Sequence, residues 1–177
     1  MPTDLKTMIR DVPGFPKPGI VFKDITTLLQ NSRSLREAVD RIAEQYRSKR
    51  VDVVAAVDAR GFIVGSAVAY SLGAGIIPIR KRGKLPWKTY QTSYELEYGT
   101  DTLEIHQDAF TPGAHVLIVD DLLATGGTAE AVVKLVQQLR GQIVGVAFLI
   151  ELGFLKGRER LEPYGVDIFS LVRYEQE

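Results

Sequence analysis

Cysteine is absent from the 177 residues. Its absence excludes disulfides, thiol nucleophiles and cysteine-ligated zinc, and leaves a reducing compartment open to the chain. An excess of charge of either sign is also missing: Lys and Arg number 22, Asp and Glu 22. No global field favours nucleic acid or an acidic membrane, so any anion site has to be local. No apolar run approaches the length of a membrane span. The opening "MPTDLKTMIRDVPGFPKPG" sets charges and prolines where a secretory signal would carry an apolar stretch. The expectation is a cytoplasmic protein with no membrane and no nucleic-acid partner. Histidines number only two, His106 and His115, and neither has partners at metal-ligand spacing, so no protein metal centre is expected. Repeats, low-complexity tracts and linkers are missing as well, which suits a single domain over residues 1–177.

What is present alternates between two periods. Ser34-Leu35-Arg36-Glu37 has the form of a capping box at a helix start. Behind it Leu35, Val39, Ile42, Ala43 and Tyr46 share one helical face. Val51–Asp58 is a valine-rich run suited to a buried strand. "RGFIVGSAVAYSLG" follows with helical spacing at Val64, Ala67, Val68 and Ser71, and Gly73 as its stop. Gly75–Lys81 and "VLIVDD" read as further strands. Thr128–Arg140 reads as a helix with Val132, Leu135, Val136 and Leu139 on one face and Gly141 just past its end. Ile143–Leu152 and Asp167–Tyr174 complete the strands. This alternation implies an α/β fold, an open, mostly parallel sheet flanked by helices. Two segments break the rhythm. Residues 1–30 are punctuated by Pro and Gly. Residues 82–107 read instead as a polar hairpin around a turn at Gly99–Asp101, either an edge element or an active-site lid, with the lid favoured.

The stretch "VLIVDDLLATGGT" (Val116–Thr128) carries the chemistry. Ligands of open α/β sheets sit beyond the carboxyl ends of strands. Asp120 and Asp121 lie at such an end, and Ala124, Thr125, Gly126, Gly127 and Thr128 lead into a helix. A helix start offers unpaired amides and partial positive charge to a phosphate. Glycines let the backbone approach, and threonines add hydroxyls. The two acids would repel phosphate but suit sugar hydroxyls as acceptors. One ligand meets both demands, a ribose 5-phosphate. "VDARGF" repeats the strand-to-helix design, with Arg60 placed for a phosphate or a ring nitrogen. "IRKRGKLP" sets four cations within Arg80–Lys84, a local positive field in a neutral chain. Glu95 and Glu97 share one face of the hairpin strand. Nothing assigns a role to Trp87.

Taken in order, "FPKPGIVFKDIT", "DARGF", "IRKRGKLP", "YELEYG", "VLIVDDLLATGGT" and "ELGFLKGRERL" resemble the adenine phosphoribosyltransferases, within the type I phosphoribosyltransferase family, over about Phe15 to Tyr174. The resemblance implies transfer of a 5-phosphoribosyl group from phosphoribosyl diphosphate to adenine, giving AMP and diphosphate. It implies an N-terminal hood over the base, in which Phe22 stacks on adenine and the main chain of Val21 and Lys23 reads its edge. Leu152 would contact the other face. Asp58 and Ala59 would be joined by a cis bond whose amides approach diphosphate, with Arg60 turned toward the purine. Arg80, Lys81 and Lys84 would face diphosphate, and the resemblance allows one cation of the run to come across a subunit interface. Glu97 would manage the purine proton, and Tyr98 would sit near ribose and diphosphate. Mg²⁺ carried mainly by the diphosphate, a closing hairpin and a homodimer are further expectations. Two alternatives stand beside this one. An enzyme for another purine or a pyrimidine is disfavoured because 6-oxopurine enzymes usually offer the base oxygen a cation, and no lysine is clearly placed for that. A nucleotide-sensing regulator would need an added DNA-binding domain or a basic face.

Overall fold

The computed structural model describes residues 4–95 and 99–176. After a 3-10 turn at Leu5–Met8, β1 (Arg10–Pro13) and β2 (Val21–Asp24) form a two-stranded antiparallel ribbon. Asp24 anchors it. Its carboxylate accepts from the Thr26 backbone N–H at 2.9 Å and from Arg10 Nη2 at 2.5 Å, bonds that pull its pKa down to about 2. The chain then forms α1 (Thr26–Gln30) and α2 (Ser32–Tyr46).

The start of α2 corrects the sequence reading. Its cap is Asn31, whose side-chain oxygen accepts from the backbone N–H of Arg33 and Ser34, both at 3.1 Å. Ser34 lies inside the first turn, fully buried, and donates its hydroxyl to the Leu28 carbonyl at 2.8 Å. Asparagine caps as well as serine, and the short α1 leaves a buried carbonyl that the Ser34 hydroxyl satisfies. The apolar face follows as expected, with Val39, Ile42, Ala43 and Tyr46 buried.

The rest of the chain runs β3 (Val53–Val57), α3 (Arg60–Leu72), β4 (Gly75–Lys81), β5 (Thr89–Glu95), β6 (Thr100–His106), β7 (His115–Leu123), α4 (Gly127–Gln138), β8 (Gln142–Leu152), α5 (Gly157–Leu161) and β9 (Ile168–Tyr174). Among the described residues seven strands form one sheet in the order β5-β6-β4-β3-β7-β8-β9, with β4, β3, β7, β8 and β9 parallel. Gly73 ends α3 in the left-handed region at φ 68°. One sheet face is covered by α2 and α3 over Ile42, Val64, Leu117, Val119 and Leu149. The other is covered by α4 over Ile79, Ile118, Val132, Val136 and Phe148.

Several boundaries differ from the sequence reading by a residue or two, and three of the differences have a clear cause. β7 runs two residues past the acids to Leu123, because β8 pairs with it that far. β6 begins at Thr100, so Asp101, expected in the turn, belongs to the strand and pairs with Tyr94. At the end of α4 the left-handed residue is Arg140, φ 59°, not Gly141. Gly141 is needed for space instead: a Cβ there would lie 2.9 Å from the Phe110 ring. The hairpin itself is an edge element, since β6 pairs with β4 at Arg80↔Glu104 and Lys81↔Leu103.

Because Asn31 alone caps α2 from outside, Asn31→Ala should lower stability by about 1 kcal/mol. Denaturant unfolding measures it, and an unchanged midpoint would return the cap to Ser34.

Candidate active site

From β3 the chain crosses to β4 on one side, and from β7 to β8 on the other. The carboxyl ends of β3 and β7 therefore flank a topological switch point, where such sheets open a crevice. β7 pairs with β3 only through Val119, so Asp120 and Asp121 stand beyond the last shared rung. A cleft of about 370 Å³ opens there. It is lined by Val57–Arg60, Lys81, Tyr94, Leu103 and the run from Asp120 to Ala129.

Both acids are nearly buried, 9% and 8% exposed. Asp120 stands over α3, where Gly61 makes room: a Cβ there would come within 2.7 Å of the Asp120 Oδ1. That same oxygen accepts from the Asp121 backbone N–H at 2.8 Å. Burial, and then the charge of Asp121, push the Asp120 carboxyl well above the usual carboxylate range. Asp121 carries an ion pair, accepting from Arg60 Nε at 2.5 Å. The pair thus sets side by side a carboxyl whose protonated form burial favours and a carboxyl held by a guanidinium.

Across the crevice, α4 begins without a side-chain cap. Its N-cap, Gly126, has φ 85°, and the first-turn amides are left for a ligand. The loop is supported from behind by Gly157. A Cβ on Gly126 would lie 2.5 Å from the Gly157 carbonyl oxygen, and one on Gly157 would lie 2.9 Å from the Gly126 nitrogen. Tyr94, on the hairpin, has its hydroxyl beside Thr128 and Asp101. The hairpin is therefore a sheet edge whose outer end borders the loop Ala124–Thr128.

The cleft brings together Ala59, Arg60, Lys81, Asp120, Asp121 and Ala124–Thr128. The Asp58–Ala59 bond is cis. Arg80 is adjacent but turned inward, with Nε on Asp58 Oδ2 at 2.9 Å and Nη1 on the Lys84 carbonyl at 3.2 Å. Lys81 is tied to Asp101 at 2.9 Å. Lys84 is exposed and outside the cleft lining. Val21, Phe22 and Lys23 lie on β2, outside the lining too, but Arg60 bridges the gap, with its guanidinium carbon 5.2 Å from the Phe22 ring centre. Phe15 meets Phe22 edge-on at 5.2 Å. Leu152 closes β8, half-buried opposite Tyr174. Glu97 and Tyr98 fall outside the described residues. Tyr94, Leu103, Gly61 and Gly157 were not singled out from the sequence. Only the fold shows that they touch the site, because their partners are distant in the chain.

Comparison with known proteins agrees with this geometry. The family model described as the phosphoribosyl transferase domain matches residues 24–174. The adenine phosphoribosyltransferase of Syntrophotalea carbinolica is 58% identical, over 97% of this chain and 99% of its own. The crystal structure of adenine phosphoribosyltransferase from Thermoanaerobacter pseudethanolicus superposes with a TM-score of 0.92 at 50% identity, covering 97% of this chain and 98% of that one. The Saccharomyces cerevisiae enzyme, complexed with an imino-altritol bisphosphate and adenine, gives a TM-score of 0.89 at 37% identity, covering 95% and 96%. With relatives of this identity over nearly its full length, the chain belongs to the phosphoribosyltransferase family and, within it, to the adenine phosphoribosyltransferases.

Proposed function

We propose that the cleft transfers the 5-phosphoribosyl group from phosphoribosyl diphosphate to adenine, giving AMP and diphosphate, a purine-salvage reaction. The observation that carries this reading is the meeting, in one crevice, of an uncapped helix start and a nearly buried acid pair. The 5-phosphate sits on Ala124–Thr128. Asp120 and Asp121 take the two ribose hydroxyls. As the bond from C1 to diphosphate breaks, positive charge grows on the ribose, and the acid pair sits where it lowers that cost. Adenine N9 forms the new bond to C1 and gives up its proton, for which Glu97 is the proposed acceptor.

The basic run completes the exchange. Arg80 and Lys81 leave Asp58 and Asp101 for the diphosphate, with Lys84 as a further cation and Tyr98 near the ribose. Ala59 lends its amide to the same group. Phe22 stacks on the base, Val21 and Lys23 read its edge through the main chain, and Leu152 closes the other face. Mg²⁺ brought by the diphosphate would meet hard oxygen donors here, the carboxylates of Asp58, Asp120 and Asp121, and would supply positive charge against the diphosphate.

Residues 1–177 act as one domain in this reading, with 1–30 as the hood and about 82–107 as the hairpin that excludes water. A homodimer is supported by apolar side chains left exposed on neighbouring elements: Ile63 (50% exposed) and Tyr70 (91%) on α3, and Ile76 (44%) on β4. Among the described residues no helix is long and apolar enough to cross a membrane, and the proposed compartment is the cytoplasm.

An assay of each nucleobase with phosphoribosyl diphosphate and Mg²⁺ should yield AMP from adenine, and no AMP would sink the reading. Asp120→Asn combined with Asp121→Asn should lower kcat by at least about a hundredfold in a folded protein. Near-normal turnover would reject the role of the pair. Phe22→Ala should raise the KM for adenine by roughly tenfold, the worth of one lost base stack, with little change in the KM for phosphoribosyl diphosphate. Equal changes in both constants would argue against stacking.

A further inference from the structure

The phosphate loop has no support of its own. Gly126 is left-handed, α4 begins without a side-chain cap, and Thr125 is exposed. What fixes the height of the loop is the backbone of Gly157, in contact with Ala124 and Gly126. α5 is only one turn long, Gly157–Leu161, too short to hold itself in place. Something must hold α5.

Leu161, wholly buried, and the Arg160–Glu130 pair tie it to α4, and its link to the sheet is a buried carboxylate at the end of β8. Glu151 is 2% exposed. It receives Arg158 in a fork, Nε on Oε1 at 3.1 Å and Nη2 on Oε2 at 2.6 Å. The Ser170 hydroxyl donates to Oε2 at 2.6 Å. Arg158 also donates Nη1 to the Ile168 carbonyl at 3.1 Å, and Arg173 approaches Oε1 at 3.6 Å. A forked arginine–carboxylate pair fixes orientation as well as distance. Arg158 is the residue next to Gly157. Glu151 is the register partner of Leu123, the residue before the loop begins. One carboxylate therefore references both sides of the contact to the same rung of the sheet: β7 through the ladder, and α5 through Arg158.

We propose that Glu151 and Arg158 are positioning residues for the 5-phosphate, acting through Gly157 on the loop Ala124–Gly126. This rests on the phosphoribosyl reading of the cleft. Neither side chain belongs to the cleft lining, so their effect is on the placement of the loop amides and not on the reacting atoms. Removing the fork loosens α5, lowers the loop's grip on phosphate, and leaves the acid pair and the hood intact.

The test is steady-state kinetics of the full-length protein carrying Glu151→Gln, with both substrates varied. The expected result is a KM for phosphoribosyl diphosphate raised about tenfold, with kcat and the KM for adenine within about twofold of wild type. Inhibition by ribose 5-phosphate should weaken in parallel. Arg158→Lys keeps the charge but loses the fork and should show the same selective loss to a smaller degree, and it carries the test if Glu151→Gln does not fold. An unmoved KM for phosphoribosyl diphosphate, or a loss spread evenly over kcat and both KM values, overturns the proposal. Absence of turnover in wild type fails the parent reading. Turnover in wild type with no selective effect in the variants fails this inference alone.

Discussion

The site depends on the place where β7 loses its neighbour on one side. β7 stays paired with β8 to Leu123, but with β3 only to Val119. The residues in between are held rigidly along one edge and open along the other. Topology imposes this. The crossovers from β3 to β4 and from β7 to β8 leave in opposite directions, and right-handed crossovers then set α3 and α4 on opposite faces of the sheet. Two helix starts converge on one crevice, and two acids stand on the strand between them. The loop amides and the two short acids need no long reach, so these groups are held by backbone that has little freedom to move.

Charge is managed by the same economy. A chain with no net charge has no long-range field to collect an anion. It keeps its cations near the cleft by pairing them: Arg60 with Asp121, Arg80 with Asp58, Lys81 with Asp101. In the proposed function, diphosphate binding is an exchange of partners. A diphosphate carries more charge than a single carboxylate and accepts from several donors at once, so the exchange can favour the ligand without leaving a cation unpaired. Arg60 adds a link of another kind. It joins Asp121 to the Phe22 ring, so the group that faces the ribose and the group proposed to hold the base are connected through one guanidinium.

Much of this was legible where the cause is local. Gly75–Lys81 forms a strand with those limits, and Gly73 ends α3, because apolar runs and a left-handed stop act over a few residues. The order of two acids, a spacer and a glycine pair marks one stretch of chain, and the structure brings that stretch to one cleft. The misses have tertiary causes. Ser34 has the right chemistry for a cap, but a buried carbonyl at Leu28 claims its hydroxyl. Gly141 looks like a helix stop, but the nearness of Phe110 is what requires it. Gly157 sits unremarked in "FLKGRERL", since the contact that gives it meaning is with residues more than thirty positions away.

The base is the hardest part to read, and Lys23 shows why. A lysine near a heteroaromatic site invites a role for its ammonium group. Its side chain is only 7% exposed, with Nζ at 2.8 Å from Asp11 and 4.4 Å from the centre of the Tyr174 ring. The charge is spent on holding the hood to β9. What β2 has left for a planar ligand is its main chain and the face of Phe22. Main-chain groups are the same for every residue type, so a reader built from them leaves no trace in composition or spacing. In the proposed reading the phosphate loop declares itself through glycine and threonine and the sugar through aspartate, whereas the hood would choose its base with residues selected for other work.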